Sequence, residues 1–263
     1  MDGVNRTLYI PLYGKALVSR RGLLLRDEKA EAIWEQSGFA LKGRAASAYL
    51  AYYMGMRAAV FDDWVRARLA ESDDAVVLHL GCGLDSRCLR VASSCLWYDV
   101  DLPAVITERR KWYEECSRYH MVSADLRRKD WLEQIPPAPR AIVVLEGVSM
   151  YLQSAERRAL LRALTERFGK VQVLMDVYSV FAAKASRYRN PINTVGVTEV
   201  YGLDDPRESE QDTQLRFLGR RDMTPPHLVD ALPARERAVF RRLYAGKMAS
   251  KLYRLYEYES GTW

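Results

Sequence analysis

The chain has 263 residues, 49% of them hydrophobic and 28% charged, with 40 Lys and Arg against 34 Asp and Glu for a formal net charge of +6. That composition excludes a disordered chain, and no apolar run approaches the roughly 20 residues that span a bilayer, so no membrane partner is expected. The basic residues are scattered, without the aromatic-interleaved stripe of a nucleic-acid reader, and residues 1–20 lack a secretory signal pattern, so no nucleic-acid partner and a cytoplasmic location are expected.

Residues 1–74 read as a helical N-terminal extension. Tyr13 to Arg20 suits a first helix, and Asp27 caps a second that carries Ala30, Ile33 and Trp34 on one face. Arg44 to Leu69 is a longer helical stretch with Phe61, Trp64 and Val65 in period. Lys15, Arg44 and Arg57 are cations here that can face an anion.

Ala75 to Leu80 is a Val- and Leu-rich run suited to a strand buried on both faces. It breaks at Gly81-Cys82-Gly83, and a helical pattern follows from Ser86 to Ala92. Strand, glycine turn and helix is the arrangement that lets a nucleotide-like ligand approach the backbone. Leu96 to Val100 is a second strand ending at Asp101, 18 residues after Gly83. A carboxylate at that place accepts hydrogen bonds from two ribose hydroxyls, although Pro103 equally fits a helix that Asp101 merely precedes; Asp99 and Asp101 can divide these roles.

Pro103 to Tyr119 reads as a helix exposing Arg109-Arg110-Lys111, and His120 to Ser123 as a third strand. Asp125 then stands where an adenine amino group can be met, with Leu126 beside the ring. Ala141 to Leu145 is a fourth strand ending in Glu146, and a carboxylate at the end of a buried strand is costly unless paired, which marks a site. A helix from Ser154 to Phe168 stops at Gly169, and Val171 to Val177 is a fifth strand. The alternation predicts a parallel doubly wound α/β sheet with Gly81, Asp101, Asp125 and Glu146 along one edge. Beyond Tyr178 the pattern loosens. Ser179 to Tyr188 suits a helix, Asn190 to Asp222 an irregular insertion over the sheet edge, Pro225 to Leu232 and Pro233 to Tyr244 short helices, and Leu252 to Tyr258 a final strand. No linker divides the chain, so one domain over 1–263 is expected: extension 1–74, cofactor-binding core 75–178, and lid with final strands 179–263. The cysteines Cys82, Cys88, Cys95 and Cys116 lack zinc spacing and read as free thiols.

LGCGLDSR, YDVDLPAVI, ADLR and LEGVSMYL, in this order and together with LYIPLYGKALVSRRGLLLRDEKAEAI, resemble the leucine carboxyl methyltransferase family. Within it they are most similar to the bacterial polyketide-type, tetracenomycin-P-like branch. The likeness runs from about residue 7 to 178; Cys82 stands where Ala is usual and Ser86 where Thr is usual. The resemblance implies a class I methyltransferase, a Rossmann-like fold using S-adenosyl-L-methionine. It implies that Gly81 and Gly83 lie beneath the methionine part, Asp101 holds the ribose, Asp125 with Leu126 receives the adenine, and Glu146 lies beside the amino-acid part. Arg57 matches a clamp on the cofactor carboxylate, Lys15 matches a lysine near it, and Tyr151 matches a tyrosine facing the reacting methyl.

A carboxylate acceptor is ionised near pH 7 and needs no base, whereas a phenol, with a pKa of about 10, does. His79 lies within the first strand and His120 opens the third, which leaves His227 as the candidate base. This scarcity favours methyl-ester formation on a carboxylate-bearing small molecule, with hydroxyl methylation and methylation of a protein C-terminus as the alternatives. Intact Asp101, Asp125, Glu146 and Arg57 speak against a module that binds without reacting. Arg187 and Arg189 are positioned to hold an anionic acceptor, and Tyr178 and Tyr201 to line an aromatic pocket.

Overall fold

Period-2 alternation decides how the sheet is dressed. The computed structural model describes residues 7–71, 74–91, 94–189 and 199–261. Its strands are β1 (Ala75–Leu80), β2 (Leu96–Asp101), β3 (Tyr119–Ser123), β4 (Arg140–Leu145), β5 (Lys170–Tyr178), β6 (Arg216–Arg221) and β7 (Tyr253–Glu259). They form one sheet in the order β3-β2-β1-β4-β5-β7-β6. In β1, β4 and β5 the side chains of Val77, Ile142, Val144 and Leu174 go to one face, and Val76, Leu78, Val143, Leu145, Val173 and Met175 to the other.

The helices are α1 (Tyr9–Arg20), α2 (Glu28–Ser37), α3 (Ala48–Leu69), α4 (Arg87–Val91), α5 (Pro103–Arg109), α6 (Ser154–Arg167), α7 (Val180–Arg189), α8 (Pro226–Asp230), α9 (Ala234–Leu243) and α10 (Lys247–Leu252). The 22-residue α3 covers the first face with Phe61, Trp64 and Val65. The other face is covered by Leu160, Leu161 and Leu164 of α6 together with Trp131. The N-terminal helix α1 lies directly on α3. At Gly14 a Cβ would stand 2.6 Å from Met54 Cβ, so the absent side chain sets how closely the helix bearing Lys15 approaches the helix bearing Arg57. Asp27 caps α2 as expected, accepting the Ala30 N–H at 2.9 Å.

The first five strands are parallel, and the chain order reverses at β1, whose neighbours are β2 and β4. Ligands of open α/β sheets bind outside the carboxyl ends of the strands at such a switch point. Leu80 and Leu145 are in register, so Gly81 and Glu146 emerge side by side there. β7 inserts antiparallel between β5 and β6.

Four expectations are corrected. The helix from Pro103 stops at Arg109, because the chain must turn back into β3; Tyr113 donates to the Leu84 carbonyl across that turn. Arg109 is fully buried rather than solvated. The helical stretch from Arg44 is broken at Ser47, which is extended, between a 3-10 turn (Gly43–Ala46) and α3. The segment read as an irregular insertion contains β6, an edge strand whose residues are exposed or half-buried and whose pairing with β7 is irregular at Phe217, so its apolar pattern is weak. α10 also lies between the last two expected elements. No described helix is long and apolar enough to cross a membrane.

Candidate active site

The site is built from the turn after β1. Gly81 has φ of +69°, and a Cβ there would meet Val148 Cβ at 2.6 Å, so only glycine satisfies both the turn and its neighbour. Its N–H donates to the Val100 carbonyl at 2.7 Å, tying the turn to β2. Two residues on, the Gly83 N–H donates to Asp101 Oδ2 at 2.8 Å, and the Leu102 N–H to Oδ1 at 2.7 Å. The carboxylate is thereby fixed in direction with a lone pair left on each oxygen. Burial raises its pKa, opposed by these N–H groups and by Arg109. Arg109 donates from Nη1 to the Gly83 carbonyl at 2.9 Å and from Nη2 to Asp99, bracing the turn from below.

At the end of β4, Glu146 sits between two guanidinium groups. Arg57 Nε donates to Oε1 at 3.0 Å, and Arg87 Nη2 donates to Oε2. Burial alone would raise the Glu146 carboxyl; Arg87, then Arg57, outweigh it and pull it down to about 2. Arg57 also donates from Nη1 to Asp176 Oδ2 at 3.0 Å and to the Tyr253 hydroxyl at 2.6 Å. Asp176, inside β5, accepts the Gly147 N–H, and burial raises its pKa against the opposing pull of Arg57. Lys15 Nζ lies 3.3 Å from Asp85 Oδ2, and Arg87 and Arg90 join Asp62, Asp85 and Asp27 to the same network. Asp85 is held well below the carboxylate range: burial raises it, but Arg90, Lys15 and Arg87 prevail.

Above this floor opens a cavity of about 900 Å³, in the range of small-molecule sites. Part of its lining is aromatic. The Tyr178 and Tyr253 ring centroids are 4.9 Å apart, Tyr253 and Tyr53 6.2 Å, and Tyr53 and Tyr244 5.4 Å. Tyr151, in the 3-10 turn Ser149–Tyr151, lines the same space, and burial raises its phenol pKa.

The structure brings Lys15, Arg57, Gly81, Gly83, Glu146, Tyr151 and Tyr178 to this cavity. Asp101 joins it through Gly83 without lining it. Asp125 stands apart, with both carboxylate oxygens engaged by Arg127 Nε at 2.8 and 3.0 Å. The Leu126 side chain turns into the core beneath the sheet and is 7% exposed, so it does not flank a ring in the cavity. Asp99 is buried with Arg109, His79 and Tyr119, which removes it from any ribose. Tyr201 is outside the lining; its N–H donates to the Met150 carbonyl at 2.7 Å and its hydroxyl accepts from Gln153 at 3.4 Å. His227 is exposed on α8, outside the lining, and so is not placed to take a proton from a bound acceptor. The side chains of Arg187 and Arg189 lie outside the described residues. Sequence reading missed Asp62, Asp85, Arg87, Arg90 and Asp176. Asp176 carried the same signal as Glu146, a carboxylate inside an apolar strand, and Asp85 and Arg87 stood within the glycine-turn motif itself.

A family model described as leucine carboxyl methyltransferase matches residues 6–165. The tetracenomycin polyketide synthesis O-methyltransferase TcmP of Streptomyces glaucescens is 33% identical over 89% of this chain and 88% of its own length. The S-adenosyl-L-methionine-dependent methyltransferase dpfgK of Gibberella zeae is 28% identical over 80% of this chain and 78% of its own. Among solved structures, magnesium protoporphyrin IX methyltransferase of Synechocystis, with bound S-adenosylhomocysteine, shares the fold with a TM-score of 0.53 at 12% identity, over 94% of this chain and all of that one.

Proposed function

The chain belongs to the leucine carboxyl methyltransferase family, and from that premise we propose that this S-adenosylmethionine-dependent O-methyltransferase methylates a carboxylate of an aromatic, polyketide-like small molecule. The residues of the site suit the cofactor. In the connected buried network, Lys15, Arg57, Arg87 and Arg90 meet Asp27, Asp62, Asp85, Glu146 and Asp176, one more carboxylate than cations. S-adenosylmethionine carries one carboxylate, one ammonium and one sulfonium, a net charge of +1, which complements that excess. Lys15 and Arg57 would hold its carboxylate, Glu146 its ammonium, and Asp101 its ribose hydroxyls. Asp125 would reach the adenine only by releasing Arg127.

When bound, the cofactor supplies an electrophilic methyl on its sulfonium. The chain's own part is to position the acceptor oxygen in line with that methyl and to exclude water. Tyr53, Tyr178 and Tyr253 line the space a flat acceptor would enter.

The observation that carries the acceptor class is the state of the acids and the imidazole in the cavity lining. Asp85 and Glu146 are paired with cations. His79 has Nδ1 3.2 Å from Asp99 Oδ1 and Nε2 3.3 Å from Arg87 Nη1. Burial holds the Tyr151 and Tyr253 phenols protonated. Both carboxylates are thus taken up by cations, and each ring nitrogen of His79 faces a protein group rather than the open cavity. A carboxylate, with a pKa of about 4, arrives as a nucleophile needing no base, whereas a phenol would need one.

The test offers the enzyme 2-naphthoic acid or 2-naphthol with S-adenosylmethionine and identifies the product by mass and by lability to mild alkali. An alkali-labile methyl ester from the acid is expected. An alkali-stable ether from the naphthol, with no ester from the acid, contradicts the proposal.

A further inference from the structure

The cavity has a second cation-bearing end. Arg44 stands in the 3-10 turn Gly43–Ala46, lines the cavity and is exposed to it. The other cations that line the cavity, Lys15 and Arg57, are paired with Asp85, Glu146 and Asp176 and lie where the proposed function places the cofactor's carboxylate. The Arg44 side chain makes no hydrogen bond or ion pair among the described residues.

At the inner end, the Tyr253 hydroxyl is bonded to Arg57 and Asp176, beside Glu146. From Tyr253 the aromatic lane passes to Tyr53 and then to Tyr244. Arg44 and Tyr244 line the same cavity. Arg57, bonded to Tyr253 and paired with Glu146 and Asp176, and Arg44, without an ion pair among the described residues, thus line one cavity with the lane of rings. The rim nearby is apolar, with Phe181 69% and Leu243 58% exposed. A guanidinium beside apolar and aromatic surface is suited to a planar anion, which it can hold with two parallel N–H···O bonds.

We propose that Arg44 anchors a second acidic group of the acceptor, at the outer end of the lane away from the reacting oxygen, so that the enzyme selects flat aromatic molecules bearing two acidic groups. This rests on the acceptor reading above only in placing the reacting oxygen at the inner end.

The experiment measures binding, so it reads separately from whether an ester forms. Enzyme loaded with S-adenosylhomocysteine is titrated calorimetrically with naphthalene-2,6-dicarboxylate and with 2-naphthoate, as the unmodified protein, Arg44→Gln and Arg44→Lys. A charge-assisted pair with Arg44 should make the dicarboxylate bind about tenfold or more tighter than the monocarboxylate. Arg44→Gln should erase that advantage while leaving the affinities for 2-naphthoate and S-adenosylhomocysteine unchanged, and Arg44→Lys should keep part of it. An unmodified protein with no preference for the dicarboxylate, including one that binds neither probe, overturns the proposal. So does a preference that survives Arg44→Gln, or a substitution that weakens both probes alike, since that would be lost packing rather than a lost anchor.

Discussion

Arg57 and Glu146 come from positions 89 residues apart and meet at 3.0 Å, each less than a tenth exposed, where the carboxyl end of β4 opens into the cavity. Two buried ions so placed give little net stability, because desolvation offsets their attraction, but removing one strands the other. Glu146→Gln leaves Arg57 and Arg87 facing a neutral amide. It should cost about 3 kcal/mol or more in denaturant unfolding and weaken S-adenosylmethionine binding by about 10- to 100-fold. Calorimetry and urea melts check both. A variant of unchanged stability and affinity would remove Glu146 from the site.

Gly81→Ala sets a Cβ 2.6 Å from Val148 Cβ at a φ of +69°. Strain of this kind costs about 1–3 kcal/mol, and the overlap adds to it. Cofactor affinity should fall by more than about tenfold, because the turn must shift. Unaltered binding by Gly81→Ala would mean that the turn does not cradle the cofactor.

Asp101 accepts N–H bonds from Gly83 and Leu102 while keeping lone pairs for a diol. Asp101→Ala should weaken S-adenosylmethionine and S-adenosylhomocysteine alike, by about 100-fold, for two lost hydrogen bonds to a charged group. A purine base alone should bind the variant and the unmodified protein equally. Loss restricted to S-adenosylmethionine would point to the sulfonium instead and away from the ribose.

Stability should depend on pH in two opposed limbs. Glu146, near 2, and Asp85 and Asp99, also lowered, stabilise the fold above their unfolded values of about 4; that contribution is lost as pH falls toward the folded values. Asp101 and Asp176 are raised, so the cost of burying them as carboxylates is present at neutral pH and disappears as pH falls through their folded values toward about 4. Urea midpoints should therefore hold or rise slightly from pH 7 to mildly acidic pH, then drop steeply between about pH 4 and 2. Glu146→Gln should flatten the lower limb. A steady decline beginning at pH 7 would contradict this assignment.

His227 lies exposed on α8, outside the cavity lining. His227→Ala should leave turnover within about twofold, well below the 10²-fold or larger loss that removal of a general base produces. A loss on that scale would restore it as the base.

The parts of the site that sequence reveals are those where local chemistry conflicts with local pattern. Glycine twice in a tight break after a buried run, and a carboxylate closing an apolar strand, each demand an explanation, and Gly81, Gly83 and Glu146 were legible for that reason. The charge network was not, because Asp62 of α3, Arg87 of α4 and Asp176 of β5 meet only after the crossovers are made. Arg109 resembled a surface charge because it begins a basic triplet, and only the buried Asp99 beside it reverses that reading. Leu126 packs in the core cluster rather than in the cavity lining, because facing the core or the cavity depends on the direction of a turn, which sequence does not encode in a periodic pattern. β6 escaped because an exposed edge strand buries too little to alternate.

The most direct measurement of the central claim is the pH dependence of single-turnover methyl transfer to 2-naphthoate, with the cofactor saturating. A carboxylate acceptor in a site without a free base predicts a methyl ester formed at a rate flat between about pH 6 and 9, where the acceptor stays ionised. A rate that climbs about tenfold per pH unit over that span would show that a proton must leave before transfer, and would contradict the base-free carboxylate account.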